Sequence, residues 1–122
     1  MANNRKSSYA DEENIGKIQI SEQVVAVIAG IAATEVEGVY SLVGNITNEI
    51  ISKMGIKNLS KGVKANIFED TVTVNVTLDI KYGFNVPDIC KAVQSKVASA
   101  IETMTGLKVV EVNVVVADVT IA

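Results

Sequence analysis

Four lysines, Lys53, Lys57, Lys61 and Lys64, fall within a dozen residues that hold no Asp or Glu, in a chain of net charge −3. Such an ammonium cluster offers a docking point for an acidic partner or for anionic lipid head groups, each lysine contributing on the order of 1 kcal/mol near a charged membrane. The competing reading is a solvated loop, because lysines commonly keep exposed loops soluble. The remaining chemical inventory is sparse. The chain has no histidine, which removes the commonest proton shuttle and metal ligand, and with it Ser-His-Asp and Cys-His nucleophile pairs within one chain. Its single cysteine, Cys90, falls within an apolar helical stripe, where a free thiol acts as core filler; a redox sensor is the other reading. The carboxylates of Asp11-Glu12-Glu13, Glu35, Glu37, Glu69-Asp70 and Asp88 each have a local reason to be where they are: a polar tail, a helix end, a turn and a first helical turn. A paired acid/base site needs two carboxyl groups in opposed environments, which this distribution does not suggest. The glycines form neither G-x-G-x-x-G nor a Walker loop. No catalytic residue, cofactor or metal is therefore expected, and activity should reside in surfaces.

Composition narrows the partners. A length of 122 residues with 48% hydrophobic content suits one domain with a substantial core. An isoelectric point near 4.9 argues against a protein that coats nucleic acid, which relies on a dense basic footprint. One cysteine forms no internal disulfide, which favours the cytoplasm. Residues 1–14, MANNRKSSYADEEN, read as a disordered polar tail without the apolar run of a signal peptide, and 15–122 as a single domain. Val24 to Ala33 is the longest uncharged apolar segment, too short to span a hydrocarbon layer of roughly 30 Å. Membrane association is expected to be indirect or superficial, with no direct span.

The elements are organised around Val63 to Lys81. Val63, Ala65 and Ile67 alternate with Lys64 and Asn66, and Val72, Val74, Val76, Leu78 and Ile80 alternate with Thr73, Asn75, Thr77, Asp79 and Lys81. That period of two predicts a half-buried antiparallel hairpin, broken at Glu69-Asp70-Thr71. Upstream, Ile18 and Ile20 predict a short strand. Ser21 then caps a helix to about Val36. On a helical wheel, Val24, Val25, Val27, Ile28 and Ile31 form one arc, and Ala26, Ala29, Gly30 and Ala33 the other. Two readings are open: the helix is buried within its own fold, or the small arc is a smooth face for another subunit or a partner helix. Val39 to Val43 predicts a strand, and Asn45 to Met54 a short helix. Ile89, Val93, Val97, Ile101 and Met104 predict a one-sided helix from Pro87 to about Thr105. The final strand, Lys108 to Asp118, carries Val110, Val112, Val114 and Val116 on one face; Val115 and Ala117 on the other predict a central or well-covered position. The whole is an α+β two-layer sandwich, a mixed four- to five-stranded sheet with two long helices on one face and a parallel crossover between the last two strands.

Three segments in register carry a family resemblance: GKIQISEQVVAVIAGIAATEVEGVYSL, KGVKANIFEDTVTVNVTLDIKYG and NVPDICKAVQSKVASAIETMTGLKVVEVNVVV. From about Gly16 to Val119 the chain resembles the alkaline shock protein family, the Gram-positive envelope stress response group. The resemblance implies a non-catalytic cytoplasmic protein, peripheral at the inner face of the cell membrane, held there by a membrane-anchored protein partner and able to form a homo-oligomer. No catalytic motif is carried over. The alternative function is a regulatory module binding RNA or another polyanion through the exposed strand face, with Tyr82 and Phe84 as the nearest stacking residues. The acidic balance weighs against it.

Overall fold

The computed structural model describes residues 20–44, 46–54 and 62–121. Seven elements follow in order: α1 (Glu22–Thr34), β1 (Val39–Leu42), α2 (Asn48–Met54), β2 (Val63–Phe68), β3 (Thr71–Lys81), α3 (Val86–Thr105) and β4 (Lys108–Thr120). The expected polar tail and the strand proposed around Ile18 lie outside the described residues.

The alternation read in the sequence makes β3 the spine of the sheet. One flank of β3 pairs with β4 in parallel along its whole length. The other flank is shared end to end by two antiparallel strands, with β2 opposite Thr71–Val76 and β1 opposite Leu78–Ile80. At the junction the Thr77 N–H donates to the Gly62 carbonyl (2.8 Å) and the Val43 N–H to the Thr77 carbonyl (3.0 Å). The backbone of β3 therefore continues to pair across the change of neighbour. The sheet is mixed, as expected, with four strands among the described residues.

Both long helices lie on one face. Val72, Val74, Val76, Leu78 and Ile80 of β3 are all fully buried (0% exposed) beneath Val25, Ala29, Ala32 and Ala33 of α1 and Ile89, Val93, Val97 and Ile101 of α3. Burying each such aliphatic side chain stabilises the fold by roughly 1.5–3 kcal/mol. The helix ends follow from their sequence. Ser21 accepts from the Val24 N–H (3.1 Å), Asn85 accepts from the Asp88 N–H (3.0 Å), and α3 ends on Gly106 at φ 79°. Helix α1 stops at Thr34, two residues short of expectation, as the chain turns toward β1 through Gly38. At Gly38, φ is 99° and an added Cβ would meet Ile89 and come within 2.9 Å of Phe84 Cδ2, so only glycine fits.

Two expectations need correction. Among the described residues β4 pairs with β3 alone, which makes it an edge strand and not a central one, and β-bulges between Val109 and Glu111 and between Val116 and Asp118 break its simple alternation. Val109, Val112, Val114, Val116 and Val119 sit opposite the buried residues of β3, while Val110 is the extra residue of the first bulge and is 56% exposed. Met104, expected in the buried stripe of α3, is 69% exposed, because it lies at the hollow left between α3 and α1.

Candidate functional site

Of the four lysines, Lys64 is exposed on β2, on the polar face of the sheet opposite Asn75. Lys53 belongs to the last turn of α2, and Lys57 and Lys61 lie outside the described residues. The described residues thus show one member of that patch as a surface side chain, and the four-lysine reading otherwise lies beyond them.

The small arc of α1 is turned inward. Ala29 and Ala33 are fully buried in the core and Gly30 is buried with them, while Ala26 is half-buried against it. Small side chains here let the helix approach the sheet closely, which is the use the fold makes of Ala26, Ala29, Gly30 and Ala33. Of the large aliphatic arc, Val25 is fully buried with them, and the other members turn toward the surface. Val24 is 47% exposed, and Val27, Ile28 and Ile31 are half-buried. Ile28, Ile31 and Ala32 of α1, with Glu35, meet Ala100 and Met104 of α3 around a hollow of about 190 Å³. A Lys96 Nζ to Glu35 carboxylate ion pair (3.5 Å) bridges the two helices beside it, half-exposed and so worth at most about 1 kcal/mol.

A second exposed region is the outer edge of β4. The ends of the strand face β3: the Lys108 N–H donates to the Asp70 carbonyl (2.9 Å), and the Tyr82 N–H to the Thr120 carbonyl (2.8 Å). Next to Lys108 the Val109 N–H alternates outward, and past the first bulge the Val112 carbonyl faces outward too. Helix α3 partners both, through the Glu102 carboxylate on the Val109 N–H (2.9 Å) and the Gln94 Nε2 donating to the Val112 carbonyl (3.1 Å). At the opposite edge, Glu22 of α1 accepts from the Ile67 N–H (2.9 Å). Both edges of the sheet thus use a helix carboxylate to occupy an otherwise free N–H. Gln94, Ser95 and Ala98 on α3 and Val109 to Asn113 on β4 enclose an open groove of about 500 Å³ along this edge. Val115 (53% exposed) and Val119 (44%) extend the apolar surface beyond it. The pattern that marks this edge in the sequence is the pair of runs Val109-Val110 and Val114-Val115-Val116, where alternation fails.

The far face of the sheet is mainly polar, with Phe68 of β2 and Val115 of β4 as exposed apolar side chains on it. Asn113 Nδ2 donates to Asn75 Oδ1 (2.9 Å) across β3 and β4. Further along, Asp79 stands opposite Asp118, and Ser41 of β1 stands opposite Asp79. Partial burial, then the Asp118 charge, raise the Asp79 carboxyl above its ordinary value of 3.8, and the nearby Ser41 hydroxyl pulls it back down. Ser41 is itself fully buried, and its Oγ lies near that carboxyl without reaching good hydrogen-bond geometry to any partner. Burial pushes the Cys90 thiol up, so less of it is thiolate, in keeping with a packing role. Among the described residues no group of three or more His, Cys, Asp and Glu side chains is placed to hold a metal. No helix among them is long and apolar enough to cross a membrane.

A model of the alkaline shock protein 23 family, described by a cell envelope-related function, matches residues 10–121. The chain belongs to that family. Relatives within reach include the Bacillus subtilis protein YqhY, 34% identical over 104 residues that span 85% of this chain and 77% of the relative. The Streptococcus pyogenes protein Spy1535 is 38% identical over 103 residues, 84% of this chain and 78% of its own. Two solved variants of a domain titled MamM-CTD superpose with TM-scores of 0.56 and 0.55 at 16% and 17% identity, over 80% and 79% of this chain and 98% and 94% of theirs. At that identity the likeness is one of fold. It confirms the α+β architecture, and membership of the alkaline shock family gives the chain an envelope-related role.

Proposed function

We propose that this alkaline shock family member is a non-catalytic interaction module, acting at the inner face of the cell membrane through a membrane-anchored protein partner. The observation that carries the reading is the apolar hollow between α1 and α3, flanked by exposed Val24 and Met104. Ile28 and Ile31 of α1 and Ala100 and Met104 of α3 line the hollow between the two helices, and exposed Val24 lies one turn from Ile28 along α1. An apolar groove between two helices suits the greasy face of a partner helix, with Val24 and Met104 as anchors at its margins. A chain with no histidine and a thiol shifted away from reactivity supports the non-catalytic part. A polyanion-binding role finds less support: Lys64 and Lys81 share the far face with Asp79, Glu111 and Asp118, so that face is not a basic platform.

Membrane fractionation of cells carrying the double variant Val24→Asp, Met104→Asp tests this. Both positions are exposed, so thermal stability should change little. The parent chain should co-sediment with membranes and the variant should move to the soluble fraction. A variant that folds normally and still sediments with membranes would remove the helix layer as the docking surface.

A further inference from the structure

The proposed function leaves the second exposed region unassigned. We infer that the edge of β4, open among the described residues, pairs with the same edge of a second copy of this chain, antiparallel and centred on Val114, so that two sheets join into one. This names a partner for a surface separate from the helix layer, and it stands or falls independently of membrane recruitment.

The backbone geometry supplies the first support. Glu111 to Val116 run in unbroken register with Thr73 to Leu78, and the Val112 carbonyl points outward to Gln94. Alternation then turns the peptide groups of Val114 and Val116 outward as well. Among the described residues no side chain bonds to the edge between Val112 and Val119, whereas Val109 and Val112 are partnered by α3. A two-fold axis at Val114 places Val112 opposite Val116 of the partner subunit and forms roughly six inter-strand hydrogen bonds, two at each of three bonded pairs. The Val112 carbonyl has a second lone pair and keeps Gln94 while accepting from the neighbour.

The side chains supply the second support, which is what selects a copy of the same chain. Under this axis Asn113 faces Val115 of the partner subunit and Glu111 faces Ala117 of the partner subunit, so no charge meets its like. A parallel in-register stack of the same edge would set Glu111 on Glu111 and Asp118 on Asp118, which is unfavourable. The antiparallel arrangement is closed, with each copy using one patch twice. It covers the exposed Val115 and lays apolar side chains of the incoming strand over Ser95 and Ala98, in the groove of about 500 Å³ beside β4.

Sedimentation equilibrium on the full chain reads the outcome. The parent should be a dimer at micromolar concentration. Val114→Pro removes an N–H that faces away from β3, so the ladder within the subunit survives while dimerisation weakens about tenfold or more. Because proline could still disturb the strand, a second variant places Val114→Cys in a Cys90→Ser background. The two copies of residue 114 would lie roughly 5.5 Å apart at their Cα atoms, within disulfide reach, and mild oxidation should link them. A parent that stays monomeric overturns the proposal. So does a dimer that survives Val114→Pro in a chain whose Val114→Cys variant fails to cross-link. Loss of membrane recruitment in the helix-layer variant, with dimerisation intact, would leave this inference standing.

Discussion

Strands β3 and β4 are neighbours, parallel and rich in valine, yet they do opposite work. In β3 every second side chain is fully buried and the intervening ones are polar or half-covered. In β4 no residue is fully buried, and valines emerge on both faces. The difference comes from their neighbours among the described residues: β3 has a strand on each flank and its apolar face closes one core with both long helices, while β4 has β3 on one side only and α3 packed on it. A strict alternation therefore identifies a strand whose faces have settled assignments. A run of valines that breaks it marks surface the domain does not finish covering by itself.

The contrast is broken most directly by truncating one side chain in each strand. Leu78→Ala on β3 removes a fully buried side chain from the core that the sheet shares with the helices and should lower unfolding free energy by about 3 kcal/mol. Val115→Ala on β4, 53% exposed, should change it by less than about 0.5 kcal/mol in the isolated subunit. Urea unfolding at a protein concentration low enough to hold the chain monomeric compares the two. Equal losses would mean that β4 is covered in solution and that its edge is not free.

The same comparison shows what was legible in the sequence. The hairpin of β2 and β3, the stripe of Ile89, Val93, Val97 and Ile101, and the caps at Ser21 and Gly106 were all readable, because each rests on a local period or a local backbone requirement. The direction in which α1 faces was not. Its two arcs are both apolar, so periodicity alone does not say which packs inward, and the closeness of the sheet selected the small residues. Nor was the place of β4 legible: an edge strand with valines on both faces and a buried parallel strand share a composition. The bulges that move Val110 off the helix side arise from pairing with β3, which no window of residues reports.

A smaller effect sharpens the contrast at the edges of the sheet. Glu22 holds the Ile67 N–H of β2 and Glu102 holds the Val109 N–H of β4. Glu22→Ala and Glu102→Ala should each lower stability by on the order of 1 kcal/mol or less, since both bonds are exposed to water. Hydrogen exchange distinguishes them from non-specific losses. The Ile67 amide should exchange faster only in the first variant and the Val109 amide only in the second, with the amides of β3 unchanged. Loss of protection spread through β3 in either case would show that these carboxylates hold more than an edge.

The finest test lies where the two strands carry facing carboxylates. Asp79 of β3 is raised above its ordinary value of 3.8 by partial burial first and by Asp118 of β4 second, against the opposing pull of Ser41. A raised acid binds its proton more tightly in the native state than in the unfolded one. Its contribution therefore favours folding below the unfolded value and is lost as pH rises through the folded one, which leaves a standing penalty at neutral pH. Asp79→Asn should accordingly be more stable than the parent at neutral pH, with the advantage shrinking as the solution is acidified through the ordinary aspartate range. Asp118→Asn should show the same sign with a smaller amplitude, because it removes only the second cause. Denaturant titrations at neutral and acidic pH read both. An Asp79→Asn advantage that does not vary with pH would assign the gain to packing, and a loss at neutral pH would mean that the Ser41 contact outweighs both burial and the facing charge.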